Sequence, residues 1–262
     1  METQESHVMA NGHRLNTLRI GKIKKEKPTL IFLHGGLDCI AMWREFPARL
    51  AAAAGLAAIV YDRWGHGKSD PLVLPRDGDA RIVEADQPII DIIRHFGIGK
   101  VILVGHSFGG AIALLASGIH SDLVIGTIAI TPQLVAHADG KEGLAKAIAA
   151  FKSGKLRDKL MVFHGNQTDT LFEDWSQGSS RPNQKPRDYS TQLNEVECPV
   201  LVIYGRQDNY GYMHNLEFTE KNLTCRSESL VIDDARHYPH IEIPEVVIDT
   251  CKNFICALDQ AH

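Results

Sequence analysis

Val101-Ile102-Leu103-Val104-Gly105-His106-Ser107-Phe108-Gly109-Gly110 is the stretch on which the fold turns. Its first four residues are apolar and mostly β-branched, which suits a strand buried on both faces. From Ser107 onward small and apolar residues read as a helix. Gly105-x-Ser107-x-Gly109 therefore stands between a buried strand and a helix, the setting of a nucleophile elbow. A sharp strand-to-helix turn lifts the Ser107 hydroxyl above the carboxyl edge of the sheet. The flanking glycines are needed because side chains there would strike the neighbouring strand and helix. A five-residue G-x-S-x-G arises often by chance, so its specificity comes from the strand before it and the helix after it.

The same alternation extends outward. Asn11-Gly12 between the alternating segments Glu5–Ala10 and Arg14–Ile20 reads as a β-hairpin. Apolar strands are expected at Thr29–Leu33, Ala57–Tyr61, Val101–Val104 and Val124–Ile130. Helices are expected over Ile40–Ala53 and around Ala80–Phe96, with a Gly-rich loop at Asp62–Ser69. Apolar strands alternating with helices imply a parallel sheet covered on both faces. The pattern changes at Pro132. Helical stretches near Lys141–Lys152, Leu156–Phe163 and Thr170–Trp175 follow, and a polar, Pro-containing segment, Gln177–Arg187, closes the region. Strands return at Pro199–Tyr204 and Leu230–Ile232, and a last helix covers about Glu245–Ala257. The expectation is an α/β fold: a mostly parallel, doubly wound sheet of about eight strands, with a helical cap inserted before the last two. The core would comprise 1–132 and 197–262, and the cap 133–196.

A serine hydroxyl is a weak nucleophile and needs a base. With 13 histidines in the chain, position decides. In folds carrying this elbow the order is Ser, then an acid, then His. The strand ending at Tyr204 leads into Gly205-Arg206-Gln207-Asp208. The strand ending at Ile232 leads into Asp233-Asp234-Ala235-Arg236-His237. Asp233 and Asp234 rival Asp208 as the acid, but they lie close in sequence to His237. His240 is the nearest rival to His237.

These pieces together resemble the α/β-hydrolase superfamily, in particular its small, capped, esterase-like members. The resemblance rests on His34-Gly35-Gly36 after a strand, Asp62-Arg63-Trp64-Gly65-His66-Gly67-Lys68-Ser69, the elbow at Ser107, Cys198-Pro199 through Asp208, and His237-Tyr238-Pro239-His240-Ile241-Glu242. Five moderately specific motifs in the right order span nearly the whole core; nothing is carried across the cap. The resemblance implies Ser107 as nucleophile, His237 as general base and then acid, and Asp208 as the group orienting His237. It places His240 in packing or support. It implies an oxyanion hole formed by the N–H groups of Phe108 and Gly36, with Leu37 as the alternative to Gly36. Asp62–Ser69 would brace the loops near the nucleophile, with no catalytic role required of His66. Two positions depart from the family pattern. Arg236 stands where Gly often precedes the histidine. Trp64 stands where Arg is common, so an aromatic contact would replace the usual brace.

Other chemistries find little support. Serine at the elbow excludes epoxide hydrolase and haloalkane dehalogenase chemistry as the family runs it, which uses Asp. Carbon–carbon bond hydrolases usually carry Asn before the serine, where this chain has His106. No H-x-E or C-x-x-C pattern, dinucleotide fingerprint or phosphate loop is present, so neither metal nor cofactor is expected. The 262 residues carry 28 Lys plus Arg and 32 Asp plus Glu, a net charge of −4. With no basic block, nucleic acid is not an expected partner. The longest nearly unbroken apolar run, Leu50–Val60, is too short to span a bilayer. METQESHVMA lacks a signal-peptide layout, and five cysteines without a C-x-x-C pair suit a reducing compartment. A cytoplasmic enzyme is expected, with a small-molecule substrate. The expected reaction is hydrolysis of a carboxylic ester, or a related lactone or thioester, through an acyl-enzyme. Hydrolysis of a vinylogous carbon–carbon bond, a non-catalytic receptor on the same fold, and cofactor-free oxygen chemistry are the alternatives. Of the apolar cap residues Leu160, Met161, Phe163, Leu171, Phe172 and Trp175, most should pack cap on core and one or two line the pocket. Oligomeric state leaves no trace in the sequence.

Overall fold

The structure, a computed structural model, describes residues 1–76, 78–135, 138–177 and 188–258. Asn11, with φ 48°, and Gly12, with φ 79°, make the left-handed turn that joins β1 (Thr3–Ala10) to β2 (His13–Ile20). Six further strands follow: β3 (Thr29–Leu33), β4 (Ala57–Tyr61), β5 (Val101–His106), β6 (Val124–Ile130), β7 (Val200–Gly205) and β8 (Ser227–Ile232). Among the described residues these eight form one open sheet in the order β1-β2-β4-β3-β5-β6-β7-β8. β1–β2 and β2–β4 pair antiparallel, and every other neighbouring pair is parallel.

Parallel strands need crossovers, and these are helical. They are α1 (Phe46–Ala54), α2 (Ala80–Ala85), α3 (Gln87–Phe96), α4 (Phe108–Ile119), then α5 (Ala138–Lys152), α6 (Lys155–His164), α7 (Thr168–Gln177) and α8 (Ser190–Asn194) between β6 and β7. After β7 come α9 (Tyr212–Asn222), α10 (Pro239–Glu242) and α11 (Pro244–Leu258). Alternate residues of one strand feed opposite faces. Val101 and Leu103 join the core beneath α3 and α4; Ile102 and Val104 join the core beneath α1 and α11. This is why β3, β4, β5 and β7 are buried without a break and almost wholly apolar.

Several boundaries differ from the sequence reading. Ile40–Ala53 is not one helix. A 3-10 turn at Ile40–Trp43 ends at Arg44, whose φ is 53°, and α1 begins afresh with Pro47 in its first turn. The stretch 80–96 is likewise two helices, α2 and α3. Asp86 leaves helical geometry (φ −101°, ψ −104°) and Pro88 opens the second, because proline clashes with the carbonyl four residues before it. The helix expected from Ser107 has Ser107 as its N-cap and begins at Phe108. α8 and α9 had no counterpart in the sequence reading. Of the polar segment Gln177–Arg187, all but Gln177 lies outside the described residues. No helix among the described residues is long and apolar enough to cross a membrane. The five cysteines are all free.

Candidate active site

Ser107 sits at φ 54°, ψ −113°, a conformation that costs a non-glycine residue free energy and persists only where the surroundings enforce it. The enforcement comes from close packing. A Cβ on Gly105 would lie 2.2 Å from the Gly109 carbonyl oxygen, and one on Gly109 would lie 2.0 Å from that of Leu33. Both contacts are with backbone and cannot relax. The Ser107 N–H donates to Ile130 O and the Ser107 carbonyl accepts from the N–H groups of Ala111 and Gln133, so the turn is hydrogen-bonded throughout.

Three loops at the carboxyl ends of β5, β7 and β8 converge here. His237 Nε2 stands 2.9 Å from Ser107 Oγ, and His237 Nδ1 stands 2.8 Å from Asp208 Oδ2. The Asp208 carboxylate is fully buried and the His237 ring nearly so. Asp208 also accepts from the Tyr210 N–H at 2.9 Å, and the Tyr210 ring packs against His237. Asp233 and Asp234 are exposed, and Asp233 pairs with Arg206. His240 is buried among Trp43, Phe46 and His106. Arg236 takes no positive φ; its N–H donates to Glu242 Oε2 at 2.7 Å, so a side chain is accommodated there.

Gly36 lies beside Phe108: a Cβ on Gly36 would be 3.8 Å from Phe108 Cβ and 2.6 Å from Trp175 Nε1 of α7. The loop that carries Gly36 is held through its carbonyls. Gly35 O accepts from Arg63 Nη2 at 2.8 Å, and Leu37 O accepts from His164 Nε2 at 3.0 Å. A peptide is planar, so fixing Gly35 O also fixes the direction of the Gly36 N–H. His164 accepts from the Gly67 N–H on its other nitrogen, which ties α6 to both the Gly36 loop and the Asp62–Ser69 loop. His66 Nε2 lies 3.0 Å from Gly36 O. Burial pushes the imidazoles of His34, His66, His164 and His240 below the ordinary histidine range. Trp64 stacks on His13 and donates to Pro71 O, an aromatic brace where the family often has Arg.

Sequence reasoning thus named Ser107, Asp208, His237, Gly36 and Phe108, and the structure brings them together. It missed Asp38, His106 and His164 and the buried chain Arg63–Glu84–Arg76–Asp174. The available signal was a charged or imidazole group among apolar neighbours, without any indication of its partner. Of the apolar residues between β6 and β7, Leu160, Leu171 and Phe172 are buried, whereas Met161 and Phe163 are a little over one third exposed.

The chain belongs to the alpha/beta hydrolase family, whose model matches residues 30–250. It is 26% identical over 257 residues to 2-(acetamidomethylene)succinate hydrolase of Mesorhizobium japonicum, covering 89% of this chain and 90% of that protein. It is 27% identical over 221 residues to 2-hydroxy-6-oxononadienedioate/2-hydroxy-6-oxononatrienedioate hydrolase of Paraburkholderia phymatum, covering 70% and 72%. A carboxylesterase from Bacillus subtilis has the same fold, with a TM-score of 0.71 at 21% identity, over 98% of this chain and 93% of that one.

Proposed function

We propose that this protein is a cofactor-independent serine hydrolase acting on a carboxylic ester, lactone or thioester of a small molecule. The observation that carries the reading is the unbroken relay Ser107 Oγ–His237–Asp208, with distances of 2.9 and 2.8 Å. His237 takes the Ser107 proton as Oγ bonds to the carbonyl carbon. The tetrahedral oxyanion is received by the N–H groups of Phe108 and Gly36. His237 then protonates the departing alcohol or thiol as its bond to the acyl carbon breaks. A water, deprotonated by His237, bonds to the acyl carbon; the bond to Ser107 Oγ then breaks as His237 returns the proton to Oγ, which releases the acid and restores Ser107. Asp208 holds the ring in the required tautomer and stabilises the imidazolium. The helices between β6 and β7 act as a cap, with Trp175 against Gly36 as a wall of the acyl pocket.

A second reading has its own support. The relatives from Mesorhizobium and Paraburkholderia are named for substrates other than simple esters, and the same triad can serve carbon–carbon bond hydrolysis. A panel of ester, lactone, thioester and vinylogous carbon–carbon substrates, with Ser107→Ala as control, decides between them. We expect fluorophosphonate to label Ser107 and turnover to be fastest on an acyl–oxygen or acyl–sulfur bond. Ser107→Ala should lose about 10⁶ in kcat, keeping ~10³ over water. Wild-type turnover in that variant would overturn the nucleophile, and failure of all four substrate classes would point to a small-molecule receptor.

A further inference from the structure

A second histidine–carboxylate pair lies directly behind the first. His106, at the end of β5, and Asp38, in the loop after β3, are both buried. His106 Nδ1 is 3.1 Å from Asp38 Oδ2, and His106 Nε2 is 2.8 Å from the backbone oxygen of His237. A carbonyl only accepts, so Nε2 donates to it. Asp38 in turn accepts from the Gly35 N–H at 3.2 Å and from the Tyr238 hydroxyl at 3.2 Å. Burial alone would oppose its ionisation, but the hydrogen bond and charge of His106 hold its carboxyl far below the usual range. The carboxylate therefore touches the loop of Gly36, the elbow strand and the histidine loop at once. Gly35 must be glycine here, because a Cβ would fall 2.2 Å from Asp38 Oδ2 and 3.0 Å from His106 Nδ1.

We propose that the Asp38–His106 pair positions the general base: His106 anchors the backbone carbonyl of His237, and Asp38 anchors Tyr238 and the loop bearing Gly36. The proposal rests on the Ser107–His237–Asp208 reading above. The Thr131 hydroxyl also donates to His237 O, at 3.2 Å, so this carbonyl is held from two sides while the ring reaches Ser107 from the third. Neither Asp38 nor His106 touches the reacting atoms. Their effect is on the orientation of His237, and loss of it should appear in kcat and leave KM nearly unchanged, because a small misplacement of a reacting group costs rate out of proportion to binding.

The decisive comparison is His106→Asn against His106→Gln, measured by kcat, KM, the rate of fluorophosphonate labelling and the low-field proton resonance of His237 Nδ1–H. The Asn amide nitrogen reaches the place of Nδ1 and leaves His237 O without this donor. The Gln amide nitrogen reaches the place of Nε2 and restores it. His106→Asn should lower kcat and labelling about 10–100-fold, with KM within about threefold and the His237 resonance shifted or broadened. His106→Gln should regain about tenfold or more of that loss. Tyr238→Phe, which removes only the hydroxyl on the Asp38 carboxylate and leaves its contacts with Gly35 and His106, should show the same kcat-selective loss at about threefold, and serves if the His106 variants do not fold. Equal activity of the Asn and Gln variants, or a loss confined to KM, overturns the positioning role. So does wild-type kcat in Tyr238→Phe. These outcomes are separate from failure of the triad, in which Ser107→Ala would keep its turnover.

Discussion

At the scale of single residues, the proposed mechanism separates groups that react from groups that hold them. Ser107 carries a backbone strain that the packing around the elbow glycines enforces, and His237, 130 residues away in the chain, meets it with Asp208, 29 residues from His237. Asp208→Asn should cost about 10⁴ in kcat, because the amide still reaches His237 but favours the wrong tautomer. Steady-state kinetics on the best ester checks this. A silent Asp208→Asn with a defective Asp234→Asn would move the acid to the histidine loop. Asp234 is exposed, so only a rearranged loop could bring it to that role.

At the scale of elements, the helices between β6 and β7 are joined to the core by buried polar contacts as well as apolar ones. Arg76 donates to Glu84 of α2 at 2.6 Å and to Asp174 of α7 at 3.2 Å, all three largely out of solvent. Glu84 also faces Arg63, which donates to Gly35 O and so sets the Gly36 peptide. Position of α7 and geometry of the Gly36 loop are thus linked through charged groups. Removing Arg76 takes a buried cation away from two carboxylates in a low-dielectric site. Arg76→Ala should therefore destabilise the protein by about 3–5 kcal/mol, read from urea denaturation midpoints. A loss below about 1 kcal/mol would mean that water reaches and screens this chain of charges.

At the scale of the whole molecule, four buried histidines couple folding to pH. His34, His66, His164 and His240 have folded pKa values lowered chiefly by burial. Unfolding exposes them and returns them to about 6.5. Below that pH the unfolded chain binds protons that the folded chain refuses, so stability falls as pH drops and is fully present above it. Each histidine contributes a slope of up to about 1.4 kcal/mol per pH unit. Denaturant midpoints taken from pH 7.5 to 5.5 should decline steadily, and His240→Gln should flatten the decline by one proton. A stability independent of pH across that window would mean these rings are protonated in place.

The strands, the elbow and the order Ser–Asp–His are legible in the sequence because each is a local matter. Four apolar residues before Gly105-x-Ser107-x-Gly109 demand a buried strand and a sharp turn wherever they occur. The strands that precede them bring Asp208 and His237 forward as candidates, and the family resemblance sets them above Asp233, Asp234 and His240. Helix ends were less legible: Arg44 and Asp86 break helices that apolar periodicity alone would continue. What tertiary structure decided is which polar groups become partners. Asp38 and His106 are 68 residues apart, and His164 reaches a carbonyl 127 residues away. A hydrogen bond needs its atoms within about 3 Å, and only the crossovers of the sheet bring those loops together. Periodicity identifies which face of an element is buried, but not which element lies opposite. The candidate triad could therefore be read from the chain, while the buried polar groups packed around it emerge only once the strands are laid side by side.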